Sequence, residues 1–269
     1  MANLRTICLA ALGIASVLTV IPSRAEACKP PDLRGRVKSV IVTEFLVDSM
    51  TGRIGEPRLA DRIDVSQDGS TVEMTLYDPD SAEPTLKFTT YLESGRPVRG
   101  FALANGKTVP SMNCSYDQQG RLIEARTGLN TRELSTVETY EYRAGFIRRR
   151  TVAFGVPSVT TQTLDADGRV IKEVVLNEAT SKVYRTSEVT HDGNRSETCE
   201  SSEREPRRYC VTKVQDSHGN EIEVRGEFQS RKTSFEYDSV GNWVSRRLAV
   251  TGPREPSVET IVQRKIEYW

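Results

Sequence analysis

This chain of 269 residues predicts an all-β fold, an antiparallel meander of repeated β-hairpins curled into a spiral shell or a partly closed barrel. Three observations predict it. Glycines at turn-like sites recur at intervals of 22 to 26 residues. The runs between them alternate apolar and polar residues, the period of strands with one buried face. Beyond the first 21 residues, no stretch keeps the 3.6-residue apolar period of a helix.

The turn glycines are Gly69, Gly95, Gly120, Gly145, Gly168, Gly193, Gly219 and Gly241. Their neighbours repeat as well. Aspartate stands three residues before glycine at Asp117, Asp165, Asp216 and Asp238, where its carboxylate can accept backbone N–H bonds within the turn. Tyr116 and Tyr237 stand four before, and Arg or Asn follows the glycine in six copies. The clearest copy is residues 237–250, YDSVGNWVSRRLAV, which reads as one hairpin. Its alternation puts Val244, Arg246, Leu248 and Val250 on one face and Trp243 on the other.

Residues 116–126, 164–174 and 237–247 (YDQQGRLIEAR, LDADGRVIKEV and YDSVGNWVSRR) resemble the YD repeats of Rhs-type bacterial surface proteins. The segment LRGRVKSV at 33–40 and the ending RKIEYW at 264–269 are similar to short secreted members of that group. The likeness spans residues 33–269 and weakens in the copies around Gly95, Gly145 and Gly193. It implies a β-repeat architecture in the cell envelope. It does not imply toxin delivery, because the self-cleaving segment of large Rhs proteins is missing and the chain is too short to enclose a cargo.

At the N-terminus, Arg5 precedes an apolar run over residues 7–21, which Pro22 ends before Ala25-Glu26-Ala27. This reads as a secretory signal peptide over residues 1–27, too short to span a bilayer. Cleavage after Ala27 makes Cys28 the first mature residue. Soluble export is the expectation, with a lipoprotein anchored through Cys28 as the alternative. Without Arg5, Arg24 and Glu26 the mature chain holds 35 basic and 36 acidic residues, which argues against a nucleic-acid partner. Its apolar fraction falls to roughly 34%, lean for a globular domain and suited to sheets with one wet face.

A lead-in over residues 28–60 carries a first β-branched strand, Val37–Val47, and a loop at 49–57. The repeat domain follows over 61–269. Ile63 and Val65 precede its first turn, and Val72, Met74 and Leu76 alternate after it. Leu86 with Phe88, and Tyr140 with Tyr142, mark further strands. Eight turns with a strand on each side give about 16 strands, more than open sheets hold without curling. The last strand, 261–269, carries Arg264 and Lys265, the charges that blunt a free edge.

Four cysteines remain after export. Cys199 and Cys210 flank one polar loop and are expected to pair; Cys28 with Cys114 follows by elimination. His191 and His218 fall beside turn glycines, which places them at solvated tips. Asp165-Ala166-Asp167-Gly168 has the opening spacing of a calcium loop, but Lys172 and Val174 stand where later ligands are needed, so no metal and no cofactor is expected. No nucleophile elbow, phosphate-cradling loop, zinc helix or CxxC pair occurs.

Arg148 and Arg150 share a strand face, and with Trp243 they are the candidate surface-binding residues, since arginine beside an aromatic ring holds glycans and anionic polymers. The chain therefore reads as a non-enzymatic envelope protein offering a binding or scaffolding surface to an envelope polysaccharide or another envelope protein. A carbohydrate-binding module is the second reading, and an enzyme of unrecognised type the third.

Overall fold

Every described strand pairs antiparallel with the next in sequence, and the last pairs with the first. The structure is a computed structural model that describes residues 28–29, 33–48, 50–78, 80–104, 106–128, 136–203, 207–252 and 258–269. The expected signal peptide, residues 1–27, lies outside the described residues. The strands are β1 (Val37–Val47), β2 (Arg58–Val65), β3 (Thr71–Tyr77), β4 (Pro84–Glu93), β5 (Arg96–Ala104) and β6 (Lys107–Tyr116). There follow β7 (Leu122–Thr127), β8 (Thr136–Arg143), β9 (Phe146–Ala153), β10 (Val156–Leu164), β11 (Val170–Asn177) and β12 (Val183–Asp192). The circuit ends with β13 (Arg195–Ser202), β14 (Tyr209–Gln215), β15 (Glu221–Arg225), β16 (Ser230–Tyr237), β17 (Trp243–Thr251) and β18 (Val258–Tyr268).

These 18 strands form one closed barrel. The eight glycine turns join β2 through β17, which are the 16 strands expected, and β1 and β18 complete the ring. The expected all-β antiparallel meander curled into a barrel is what the structure shows, and the ring is complete. Closure corrects one expectation: residues 261–269 are not a free edge, since Val40 pairs with Ile266 and Val42 with Arg264. β2 runs from Arg58 to Val65, so the lead-in and the repeats share the ring.

All eight glycine turns lie at one rim, and every turn glycine has positive φ, from 56° at Gly193 to 92° at Gly241. In the best copy the Asp238 carbonyl accepts from Gly241 N at 3.1 Å, while Asp238 N donates to the Asn242 carbonyl at 2.9 Å. Asp238 Oδ1 accepts from the N–H groups of Val240, Gly241 and Asn242 at 2.9–3.0 Å. Asp216, Asp165 and Asp117 hold their turns in the same way. A register shift follows each of these turns, the mark of a bulge. The copies at Gly95, Gly145 and Gly193 instead close with two-residue loops.

Tyrosines tie successive repeats together. Tyr237 donates its hydroxyl to Asp216 Oδ2 and accepts from Asn220 Nδ2 at 2.7 Å. Tyr268 does the same with Asp238 Oδ2 and Asn242 Nδ2. Tyr142 donates to the Leu122 carbonyl at 2.9 Å, and Tyr116 to the Pro97 carbonyl at 2.8 Å. In the four aspartate turns the Asn or Arg after the glycine thus has a task. Asn220 and Asn242 hold the next tyrosine, while Arg121 and Arg169 pair with the aspartate of their own turn.

The N-terminal segment is fixed at two points of this rim. Cys28 bonds to Cys114 of β6, and its carbonyl accepts from Tyr116 at 2.9 Å. Arg34 exchanges two hydrogen bonds with the Asn242 side chain, at 2.6 and 2.8 Å. The two most buried apolar clusters stand at these points: Cys28, Met112, Cys114 and Ala125, and then Val37, Val40, Val42 and Val262. Cys28 is buried and covalently spent, which leaves no thiol for a lipid anchor. The second disulfide joins Cys199 and Cys210, which face each other in the β13–β14 ladder. Two disulfides fit an exported protein in an oxidising compartment.

Two outcomes are expected on unfolding in denaturant. Tyr268→Phe removes a partly buried hydroxyl from Asp238 and Asn242, and should lower stability by about 1–2 kcal/mol. Replacing both Cys199 and Cys210 by alanine opens a short covalent loop and should lower it by about 2–3 kcal/mol.

Candidate functional site on the inner face

Residues directly opposite in an antiparallel pair point to the same side of the sheet, so the register carries two faces around the ring. One holds Val40, Val42, Ala102, Met112, Cys114, Ala125 and Val262, all at most 7% exposed, and we assign it to the inside. The other is the outer wall, although Val159 and Cys199 are buried there too. Its character is set by ion pairs such as Arg62–Asp64, Lys87–Glu73, Arg126–Glu124 and Arg225–Glu223, at 2.7–2.9 Å. A lipid-spanning barrel needs an apolar outer band, and each Lys or Arg at mid-membrane costs about 2–4 kcal/mol. This wall belongs in water. Among the described residues no helix is long and apolar enough to cross a membrane either.

The inner face is divided. From β2 to β7 it is mainly apolar, with Ile63, Met74, Phe88, Ala102, Met112 and Ala125 on the one face. From β8 round to β2 it carries a chain of charged groups. Glu138 accepts from Tyr140 at 3.0 Å and Thr151 at 3.3 Å, and burial, followed by the Glu138 charge, pushes the Tyr140 hydroxyl well above the tyrosine range. Glu173 accepts from Gln162 and Arg185 at 2.8 Å each, and Arg185 reaches Glu200 at 3.6 Å. Glu221 joins Lys213 at 2.6 Å and Arg231 at 2.8 Å. The bases of this chain are open to solvent, Arg185 being 44% exposed, Lys213 46% and Arg231 41%, while Glu138 is buried.

The arc ends at the seam of the ring. The Arg264 guanidinium lies 3.4 Å from the centre of the Trp243 ring, and that of Arg246 lies 5.5 Å from it. Burial lowers the Arg246 pKa, and Glu44 opposes that shift. Beside them Asp61 is pushed up to about 6, chiefly by burial, against the pull of Arg264 and with the push of Glu44. Asp61 Oδ1 and Arg246 Nε have no hydrogen-bond partner among the described residues.

The candidates from the sequence separate here. Trp243 is inside, not on the face opposite Arg246, because the register shift at Tyr237↔Trp243 turns it to the Arg246 side. Arg148 and Arg150 do share a face, the outer one, where Arg150 pairs with Glu178 at 2.7 Å. Trp243 and these arginines therefore form no common site. His191 is not at a tip but within β12, its Nε2 at 2.9 Å from the Val170 carbonyl. His218 is at a turn, stacked on Tyr237 at 3.9 Å. Asp165 spends its oxygens on Asp167 N and Arg169. Among the described residues no three His, Cys, Asp or Glu stand together as a metal site. The inner arc itself escaped sequence reasoning, since Glu44, Asp61 and Arg264 share no local spacing.

No protein-family description and no curated protein matches the chain. Solved structures do match in shape. A porin-like protein from Bacteroides uniformis aligns at TM-score 0.45 and 9% identity, over 87% of this chain and 98% of its own. A porin-like protein from Bacteroides vulgatus aligns at 0.28 and 11%, over 87% and 99%. A chain of the TcdB2-TccC3-Cdc42 complex aligns at 0.16 and 7%, over 82% of this chain and 19% of its own. At these scores the likeness carries no functional argument, and the barrel rests on its own strand pairing.

Asp61 makes a pH dependence testable. Below about pH 3 its carboxyl is protonated whether the chain is folded or not, and it imposes no penalty. Between about pH 4 and 6 the unfolded chain gives up this proton while the buried carboxyl keeps it, so stability falls across that window, by about 3 kcal/mol for a shift of this size, and the full penalty is present above about pH 6. Asp61→Asn should therefore be more stable than the wild type at pH 7.5 by up to that amount. In urea unfolding series the difference should shrink from pH 6 downwards and vanish by about pH 3.

Proposed function

We propose that this protein is an exported, non-enzymatic envelope protein whose barrel binds a polar envelope component along the charged arc of its inner face. The observation that carries this reading is that arc: acids and bases alternate along it, with the bases Arg185, Lys213 and Arg231 half-exposed. Eighteen strands about 4.8 Å apart close a perimeter of roughly 86 Å before tilt, and barrels of that strand number leave an aqueous lumen. A saccharide or an anionic wall polymer suits such a lining. Its hydroxyls and charges meet paired side chains that can exchange partners, and Trp243 supplies a ring at the end of the arc.

Both histidines are engaged in holding the fold, and the inner carboxylates pair with arginine or lysine more than with any hydroxyl nucleophile, which favours binding over catalysis. Burial pushes Asp61 up to about 6, and a general base there is the alternative that an activity assay with Asp61→Asn tests. Carbohydrate recognition on the outer wall is less favoured, because the exposed aromatics Phe154, Phe228, Tyr184 and Trp269 stand at the rims.

The test is binding of solubilised wall and polysaccharide fragments, followed by tryptophan emission in a Trp269→Phe background so that Trp243 alone reports. Arg185→Ala and Arg231→Ala should each weaken binding about tenfold, the size of one or two lost charge-assisted hydrogen bonds. The outer-wall pair Arg148→Ala and Arg150→Ala should leave it unchanged. Equal loss from both pairs, or no retention of any fraction, would reject the inner arc.

A further inference from the structure

The six most exposed large hydrophobic side chains among the described residues share one location. Met50 is 91% exposed, Phe154 75%, Phe228 63%, Val258 58%, Val156 57% and Ile54 55%. All lie on, or one residue beyond, connections at the rim opposite the glycine turns. These connections are β1–β2, β9–β10, β15–β16 and β17–β18. The β9–β10 tip stands half the circuit away from β1.

A single exposed apolar residue is ordinary, but six gathered at one end of a molecule mark a contact surface. A small ligand or an extended peptide reaches only one arc of a wide mouth. Tips on opposite sides of the ring meet the same partner only if it is broad and flat. A bilayer surface and a second ring set rim to rim both answer that description. The described loop-rim connections carry eight acidic residues against four basic ones. Two such rims face to face repel, whereas a zwitterionic bilayer does not. The charged outer wall keeps the strands themselves out of hydrocarbon, so contact stops at the tips, at the interfacial depth that aromatic side chains favour.

We infer that the loop rim seats the barrel on a zwitterionic lipid surface, with Met50, Ile54, Phe154 and Phe228 entering the interface and the wall standing in water. The test is co-sedimentation of the disulfide-bonded mature protein with phosphatidylcholine vesicles. The wild type should partition onto them, and added phosphatidylglycerol should not strengthen binding. Phe154→Ser with Phe228→Ser should lower partitioning at least tenfold while circular dichroism still shows the folded β-barrel, the loss of the Phe228 stack on Tyr209 costing only some melting temperature. In a separate variant, the emission of Met50→Trp should move to the blue when vesicles are added. Wild-type protein that stays in the supernatant at all lipid concentrations, or a double variant that sediments like the wild type, overturns the inference. So does a lipid-free dimer that the same substitutions split, which would give the rim to a second copy.

Discussion

The closing end of the ring is held by a hydrogen bond made between neighbouring repeats, in which a turn aspartate receives the hydroxyl of the next repeat's tyrosine. One carboxylate oxygen of Asp216 or Asp238 organises the N–H groups of its own turn, and the second stays available for Tyr237 or Tyr268. Since Tyr237 immediately precedes Asp238, the Gly241 turn is fixed in itself and to the Gly219 turn before it. The same bond makes the seam. Tyr268 comes from β18, outside any glycine turn, yet it takes the place of the next tyrosine. Asn242, beside it, grips Arg34 just ahead of β1. The last repeat thus meets both ends of the sheet at once, and a closed sheet has no unpaired edge to protect.

Much of the wall was legible because its signals are local. The glycine period, the alternation of Val72, Met74 and Leu76, and the bounds of Val37–Val47 all rest on residues that are neighbours in sequence. Closure was not legible. It joins Val37–Val47 to residues near the far terminus, and nothing within either segment names its partner; Arg264 and Lys265 read naturally as edge guards. The weakened copies at Gly95, Gly145 and Gly193 also had a structural cause. A two-residue loop, as at Ser94-Gly95 with φ of 52° and 76°, asks for left-handed backbone and has no use for the aspartate. Trp243 was misplaced by one bulge, since a single extra residue reverses which face the alternation points to. The inner arc stayed hidden because Asp61 and Arg264 meet only after the ring closes.

A wall one strand thick with polar groups on both faces explains the lean apolar composition. Few large side chains are fully buried, Val40, Val159, Thr136 and Pro97 among them. Stability must then come from ladder hydrogen bonds, each worth about 0.5–1.5 kcal/mol net, from cross-strand pairs, and from two disulfides that restrict the unfolded chain. The dry clusters are placed accordingly. One surrounds Cys28–Cys114 and the other the β1–β18 seam, so the apolar residues available are concentrated where the N-terminal segment and the ring's closure are held.

The two rims answer to different constraints. At the glycine rim every connection is either two or five residues long, because only those lengths close a tight hairpin or an aspartate turn with its bulge. At the opposite rim connections run from two residues, Phe154-Gly155, to the ten of 48–57. A change of length or chemistry in the first rim would break the bond that passes from repeat to repeat. A change in the second alters nothing that the strands require. The freedom to acquire a function therefore lies at the loop rim and along the inner arc, where the described acids, bases and apolar tips are not spent on closing the ring.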